Sequence, residues 1–322
     1  MKVLHLKPSD DVRNILNGVS EPTTIYLESG IYRQKLEIAA DDVTLIGENR
    51  ETTIITYDDY AKKIHDDGKE FNTFRTYTLC VTGERVKLSN LTVENSNTDP
   101  RTAGQCVALS VNCKNFYAEN VDLKSMQDTL FMYPFPDDLV ARYSGVPEGN
   151  GYYYGFVPQR QLYAEGHALH LFKNCRIYGT VDFIFGGSEA YFKDCEIISV
   201  ADSRNFGFLA APSHPLAEKY GFNFIDCDLK AQGAADGTVY LARPWRDFGK
   251  CTFINCRADK HIKPELFDKW NDTYRDKTAR FAYYNLKCAA SPAPVAWCKE
   301  LTTQQAYEII ERCNAKFKEN TR

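Results

Sequence analysis

One short pattern recurs along this chain and constrains its fold more than any other feature. An aromatic residue is followed, two positions on, by Asn or Asp, then a small apolar residue, a polar residue and another apolar one. It reads Phe172-Lys-Asn-Cys175-Arg-Ile177, then Phe192-Lys-Asp-Cys195-Glu-Ile197. It returns as Phe224-Ile-Asp-Cys227-Asp-Leu229 and as Phe253-Ile-Asn-Cys256-Arg-Ala258. Earlier copies, Asn90-Leu-Thr-Val93 and Asn120-Val-Asp-Leu123, put other apolar residues at the cysteine place. Self-similarity at a period of about 20 to 50 residues marks a solenoid.

The units alternate like short strands rather than helices. Alternate side chains then point inward, and each coil stacks on the next at roughly 4.8 Å. Asn or Asp at a recurring turn can stack on its counterpart as a hydrogen-bonded ladder. Cys175, Cys195, Cys227 and Cys256 become a column of small buried thiols. The expected fold is all-β: a right-handed parallel β-helix of one domain over 1–322, with short helical caps at both ends.

Both ends carry helix signals, which a solenoid needs to cover its terminal coils. Val12, Ile15, Leu16 and Val19 form an apolar stripe behind Ser9 as N-cap. Thr302 and Gln305 make a capping-box pattern ahead of Ala306, Ile309, Ile310, Cys313 and Phe317. One segment breaks the repeat. Residues 132–160, rich in aromatics, glycine and proline, read as a long loop.

Composition excludes several classes. A 43% hydrophobic content fits a packed globular chain, and a net charge of −4 gives no overall pull toward nucleic acid. No apolar run approaches the roughly 20 residues that cross a bilayer, so no membrane role is expected. Neither a CxxC pair nor a His/Cys cluster of zinc spacing occurs, and no metal or cofactor is expected. The start of the chain lacks a secretory pattern, and the cysteine count of eleven is odd. Those two features together lead us to expect a cytoplasmic protein.

Four stretches interrupt the alternation with polar residues. They are Gln105-Cys-Val-Ala-Leu109, Gln127-Asp-Thr-Leu130, Gly179 through Gly187, and Leu241-Ala-Arg-Pro-Trp245. Singly, each has a bland reading as a turn or an outward strand residue. Stacked coils, however, can gather Gln105, Gln127, Asp128, Asp182 and Arg243 on one outer face. Two carboxylates, a guanidinium and two amides suit acyl transfer: one aspartate attacks, the other protonates the leaving alkoxide, and the amides hold the oxyanion. No G-x-S-x-G elbow supports a serine esterase.

These stretches resemble the pectin methylesterases (pectinesterases), whose usual motifs are QAVAL, QDTL, GTVDFIFG and LGRPW. The similarity runs through most of the chain, from Gly30-Ile-Tyr32 to Trp297. The resemblance implies hydrolysis of methyl esters on (oligo)galacturonate through an aspartyl acyl-enzyme. It implies Asp182 as nucleophile, Asp128 as acid and then base, Gln105 and Gln127 as oxyanion donors, and Arg243 as the partner of Asp182. Trp245 and Phe185 would border the sugar groove. The chain departs from the family at Gln34, where Glu is usual, at Ala242, where Gly is usual, in Phe208-Leu-Ala-Ala-Pro-Ser213, where a T-A-Q stretch is usual, and in the 132–160 insertion. That insertion follows Asp128 closely and leads us to expect a cleft closed at one end, favouring short oligogalacturonides. The competing readings are an esterase or thioesterase on another acyl group, a β-helical lyase or glycoside hydrolase, and a non-catalytic carbohydrate-binding β-helix.

Overall fold

The computed structural model describes residues 2–66, 68–97, 99–143, 148–149, 152–153, 157–158 and 167–320. Three long parallel sheets dominate it, of eleven, nine and seven strands. The chain visits them in rotation. Leu169–Lys173 lies in the eleven-stranded sheet, Arg176–Gly179 in the nine-stranded sheet and Val181–Gly186 in the seven-stranded sheet. Glu189–Lys193 then returns to the first sheet beside Leu169–Lys173, in parallel register. One strand per sheet per turn is the parallel β-helix expected from the repeat, and it is right-handed.

The repeat residues fall where the alternation demands. Phe172, Phe192, Phe224 and Phe253 are buried and stack nearly parallel, with successive centroids 4.8, 4.6 and 4.6 Å apart. Cys175, Cys195, Cys227 and Cys256 are each at most 1% exposed, and none forms a disulfide. The turn residues Asn90, Asn120, Asn174, Asp194, Asp226, Asn255 and Asn285 all have φ between 47° and 57°. Asn and Asp tolerate this left-handed region better than other residues with a side chain. They also form the ladder: Asn120 Nδ2 donates to Asn90 Oδ1 at 2.7 Å, and Asn285 Nδ2 to Asn255 Oδ1 at 2.9 Å.

The helical ends differ in detail from expectation. The first helix spans Val12–Asn17 and buries Val12 and Leu16 over the opening coil. Its N-cap is Asp11, which accepts from Asn14 N at 3.0 Å, and not Ser9. Gly18 ends it, leaving Val19 outside. Gln34 ties this helix down, accepting from Arg13 N at 3.1 Å and donating to Asp10 O at 2.8 Å. An amide can both donate and accept, which the usual glutamate cannot. The last helix, Thr303–Asn320, has the reciprocal Thr302–Gln305 capping bonds. It extends beyond the end it was expected to cover, packing Ala306, Cys313 and Phe317 against Tyr117, Leu171, Tyr191, Ile225 and Ile254 along the eleven-stranded sheet.

The segment read as a long loop has regular structure where it is described. Leu130–Met132 is a strand, Asp137–Tyr143 a helix, and three two-residue strands, Glu148–Gly149, Tyr152–Tyr153 and Val157–Pro158, pair antiparallel. Residues 144–147, 150–151, 154–156 and 159–160 lie outside the described residues. Proline and glycine content suggested coil, but Asp137 and Asp138 open a helical turn just after Pro136.

Candidate active site

The seven-stranded sheet brings the polar stretches together. Gln105 and Gln127 bridge in parallel on adjacent coils, with Cys106 N donating to Gln127 O at 3.0 Å. Asp128 N donates to Val181 O at 3.1 Å, and Leu130 pairs with Ile184, so Asp182 follows on the next coil. Arg243 comes at the end of Val239–Ala242 and donates from its backbone to Ala210 O. Gln105, Gln127, Asp128, Asp182, Arg243 and Trp245 all line one cavity of about 330 Å³, together with Thr73, Phe74, Leu139, Phe185, Ala211, Arg246 and Trp270.

Local backbone conformation turns both aspartates into that space. Asp128 has φ 64° and Asp182 φ 52°. At Asp182 the register against Gly207–Pro212 slips between Val181 and Ile184. Such an irregularity in a buried strand re-aims one side chain without breaking the sheet. Gly186 closes the strand at φ 126°, where a Cβ would fall 1.9 Å from Met132 O. Only glycine fits between these coils.

Arg243 grips Asp182 with two bonds, Nε to Oδ1 at 2.8 Å and Nη2 to Oδ2 at 2.6 Å. The guanidinium lies between the rings of Phe208 and Trp270, 3.9 and 4.0 Å from their centroids. Stacking on both faces fixes the fork's plane. Asp128 has no such partner. Burial raises its carboxyl well above the usual range, and the charge of Asp182 raises it further. Burial also raises Asp182, but there the Arg243 hydrogen bonds and charge pull the other way. Both carboxyls are therefore raised, Asp128 the more strongly, because only Asp182 has a guanidinium bound to it.

The two aromatic residues divide. Trp245 is partly exposed on the cavity wall, whereas Phe185 is 2% exposed and meets Trp245 edge-on at 5.7 Å. Phe185 thus backs Trp245, and little of its own ring is open to a sugar. The segment after Asp128 does stand beside the cavity: Leu139 lines it, and Asp138 accepts from Arg246 at 2.7 and 3.0 Å. Nothing in the sequence repeat marks Trp270, Phe208 or Arg204. They come from turns and from a strand with no motif, and only the folded coils bring them to the site.

Two carboxyls of unequal surroundings, two side-chain amides and a guanidinium around one cavity on a parallel β-helix suit a carboxylic ester hydrolase. A profile of the family described as Pectinesterase matches residues 7–135 and 155–317. The chain belongs to the pectinesterase family, whose members remove methyl esters from pectin. It is 28% identical to Pectinesterase 31 of Arabidopsis thaliana, over 94% of this chain and 85% of the relative. A pectinesterase of Petunia integrifolia is also 28% identical, over 82% and 63%. Among solved structures, pectin methylesterase PemA from Erwinia chrysanthemi superposes with a TM-score of 0.75 at 24% identity, covering 95% of this chain and 94% of that one. The Yersinia enterocolitica pectin methylesterase gives 0.73 at 25%, covering 92% and 95%.

These relatives overturn the cytoplasmic expectation. Those from Arabidopsis and Petunia are plant pectinesterases, which points to the cell wall and outside the cell. The odd cysteine count misled because nine of the eleven thiols are buried in the fold, where unpaired sulfur acts as apolar filling in any compartment.

Proposed function

We propose that the chain hydrolyses galacturonate methyl esters through an acyl-enzyme on Asp182. The Asp182 carboxylate attacks the ester carbonyl, and the side-chain amides of Gln105 and Gln127 donate to the oxyanion. Collapse breaks the bond to the methoxyl oxygen, which leaves as methanol with the proton of Asp128. The ionised Asp128 then takes a proton from water, whose oxygen attacks the acyl carbon and frees the Asp182 carboxylate. Galacturonate leaves as the acid, and Asp128 is again protonated. The observation that supports this division is the asymmetry of the carboxyls: Asp182 is clamped by Arg243 and Asp128 is buried without a cation bound to it.

The substrate we propose is methyl-esterified oligogalacturonate, with short chains favoured over polymer. A pectin methylesterase of the same fold has been solved with a hexasaccharide. In this chain the helix Asp137–Tyr143 flanks the cavity through Leu139 and is tied beside it by the Asp138–Arg246 bridge. Methanol release should be measured on methylated trimers and on polymeric pectin, with Asp182→Ala as control. Faster turnover of the trimer is expected, and a strong preference for polymer would remove the chain-length proposal. Full activity in the Asp182→Ala protein would remove the mechanism.

A further inference from the structure

Gln127 is held from behind by a residue outside every polar stretch. Arg204 lies in the turn between the strands Glu196–Val200 and Gly207–Pro212. Its Nη1 donates to Gln127 Oε1 at 2.7 Å, and its Nη2 donates to Thr180 Oγ1 at 3.1 Å. Asp202 fixes the guanidinium in turn. Its carboxylate accepts from Arg204 Nε at 3.0 Å, from Nη2 at 2.6 Å and from the backbone N of Arg204 at 2.6 Å. The Asp202 side chain is 2% exposed and that of Arg204 21%, so this is a largely desolvated pair and not a surface contact.

The consequence lies in the chemistry of an amide. A guanidinium has donors only, so the Gln127 oxygen must face Arg204 and its NH₂ must face away. The NH₂ end is left on the side of Asp128, where the amide favours the ionised form of that carboxyl. An unrestrained glutamine can exchange its two ends by rotating its last torsion. The flipped form would present a carbonyl oxygen to a developing oxyanion and repel it.

We propose that Arg204, braced by Asp202 and Thr180, is a positioning residue that locks the Gln127 amide with its N–H groups toward the reacting carbonyl. This rests on the reading of Gln127 as an oxyanion donor. The role needs the fork of an arginine. A lysine keeps one positive charge opposite Asp202 but cannot span Gln127, Thr180 and Asp202 together.

The test is a double-mutant cycle, read as kcat and KM for methanol release from methylated oligogalacturonate. The variants are Arg204→Lys, Arg204→Met, Gln127→Ala and the Arg204→Met/Gln127→Ala pair. Losing an oxyanion donor costs about 10²–10³ in kcat, and losing only its orientation should cost about 10–100-fold. KM should stay within about twofold, because the interaction strengthens only as charge develops. The double variant should be no slower than Gln127→Ala alone. Losses that multiply in the double variant would overturn the inference, as would fully active Arg204 variants beside an impaired Gln127→Ala. A fully active Gln127→Ala would remove the oxyanion reading and this inference with it. Should Arg204→Met fail to fold, Arg204→Lys, which keeps the charge on Asp202, carries the comparison with Gln127→Ala.

Discussion

The turn ladder and the catalytic cavity use the same backbone device to opposite ends. In both, Asn or Asp sits at positive φ at the edge of a coil: Asn120 at 57° and Asn174 at 51° in the ladder, Asp128 at 64° and Asp182 at 52° in the cavity. Ladder side chains are consumed by their neighbours, each amide bonding the one on the next coil. The cavity aspartates do not bond each other, and like charges on adjacent coils raise the proton affinity of Asp128. A conformation that stabilises one stack thus leaves two reactive groups facing outward in the other. The difference lies in what is packed around them, since the ladder itself includes Asp226, whose carboxylate accepts from Asn255.

The contrast is tested most strongly at Asp182. Asp182→Asn keeps the shape and tolerates the same φ, yet it removes the nucleophile, and kcat should fall by about 10⁴-fold or more. Methanol release together with a melting curve distinguishes this from unfolding.

Asp128→Asn should cost about 10²–10⁴ in kcat while acting the other way on stability. A carboxyl whose folded pKa is raised contributes stability at low pH that is lost as pH rises through that pKa. The neutral amide escapes that loss, so its Tm should exceed the parent's increasingly toward alkaline pH. Equal Tm values across the pH range would mean that Asp128 is not raised. The same pair predicts a bell-shaped rate profile. Activity appears on the acid side as Asp182 ionises, and it declines as pH climbs through the raised Asp128 value.

Asn120→Ala inverts the experiment. It removes bonds to Asn90 and from Asn174 and puts alanine at a left-handed position, so about 1–2 kcal/mol of stability should be lost. Turnover per folded molecule should not change. Smallest of all, Asp138→Ala should release the helix beside the cavity and narrow the preference for trimer over polymer by a few-fold, about 1 kcal/mol or less for a partly exposed bridge. An unchanged ratio would show that the bridge does not set chain length.

The coils were legible because their signal is local and repeated. Phe172, Cys175 and Ile177 recur as Phe192, Cys195 and Ile197, and the strand period follows directly. Residues 105, 127, 128, 182 and 243 could be grouped because stacking in register brings like positions together. Arg204, Phe208 and Trp270 were not legible, since their roles depend on turn lengths and on which rings cover a guanidinium. The insertion was misread for a related reason. Glycine and proline mark where a chain bends, but they do not tell whether a short helix follows Pro136.

The final helix carries a consequence for the molecule as a whole. Stacked coils touch only their nearest neighbours, and such arrays can fray from an end one layer at a time. Here Arg312 reaches the fully buried Glu189, Phe317 rests on Tyr117, and Lys87 bonds the carbonyl of Asn320. A single clasp therefore joins layers separated by more than two hundred residues of sequence. Peeling the last turn would break contacts halfway down the stack, which favours one cooperative melting event over stepwise unzipping.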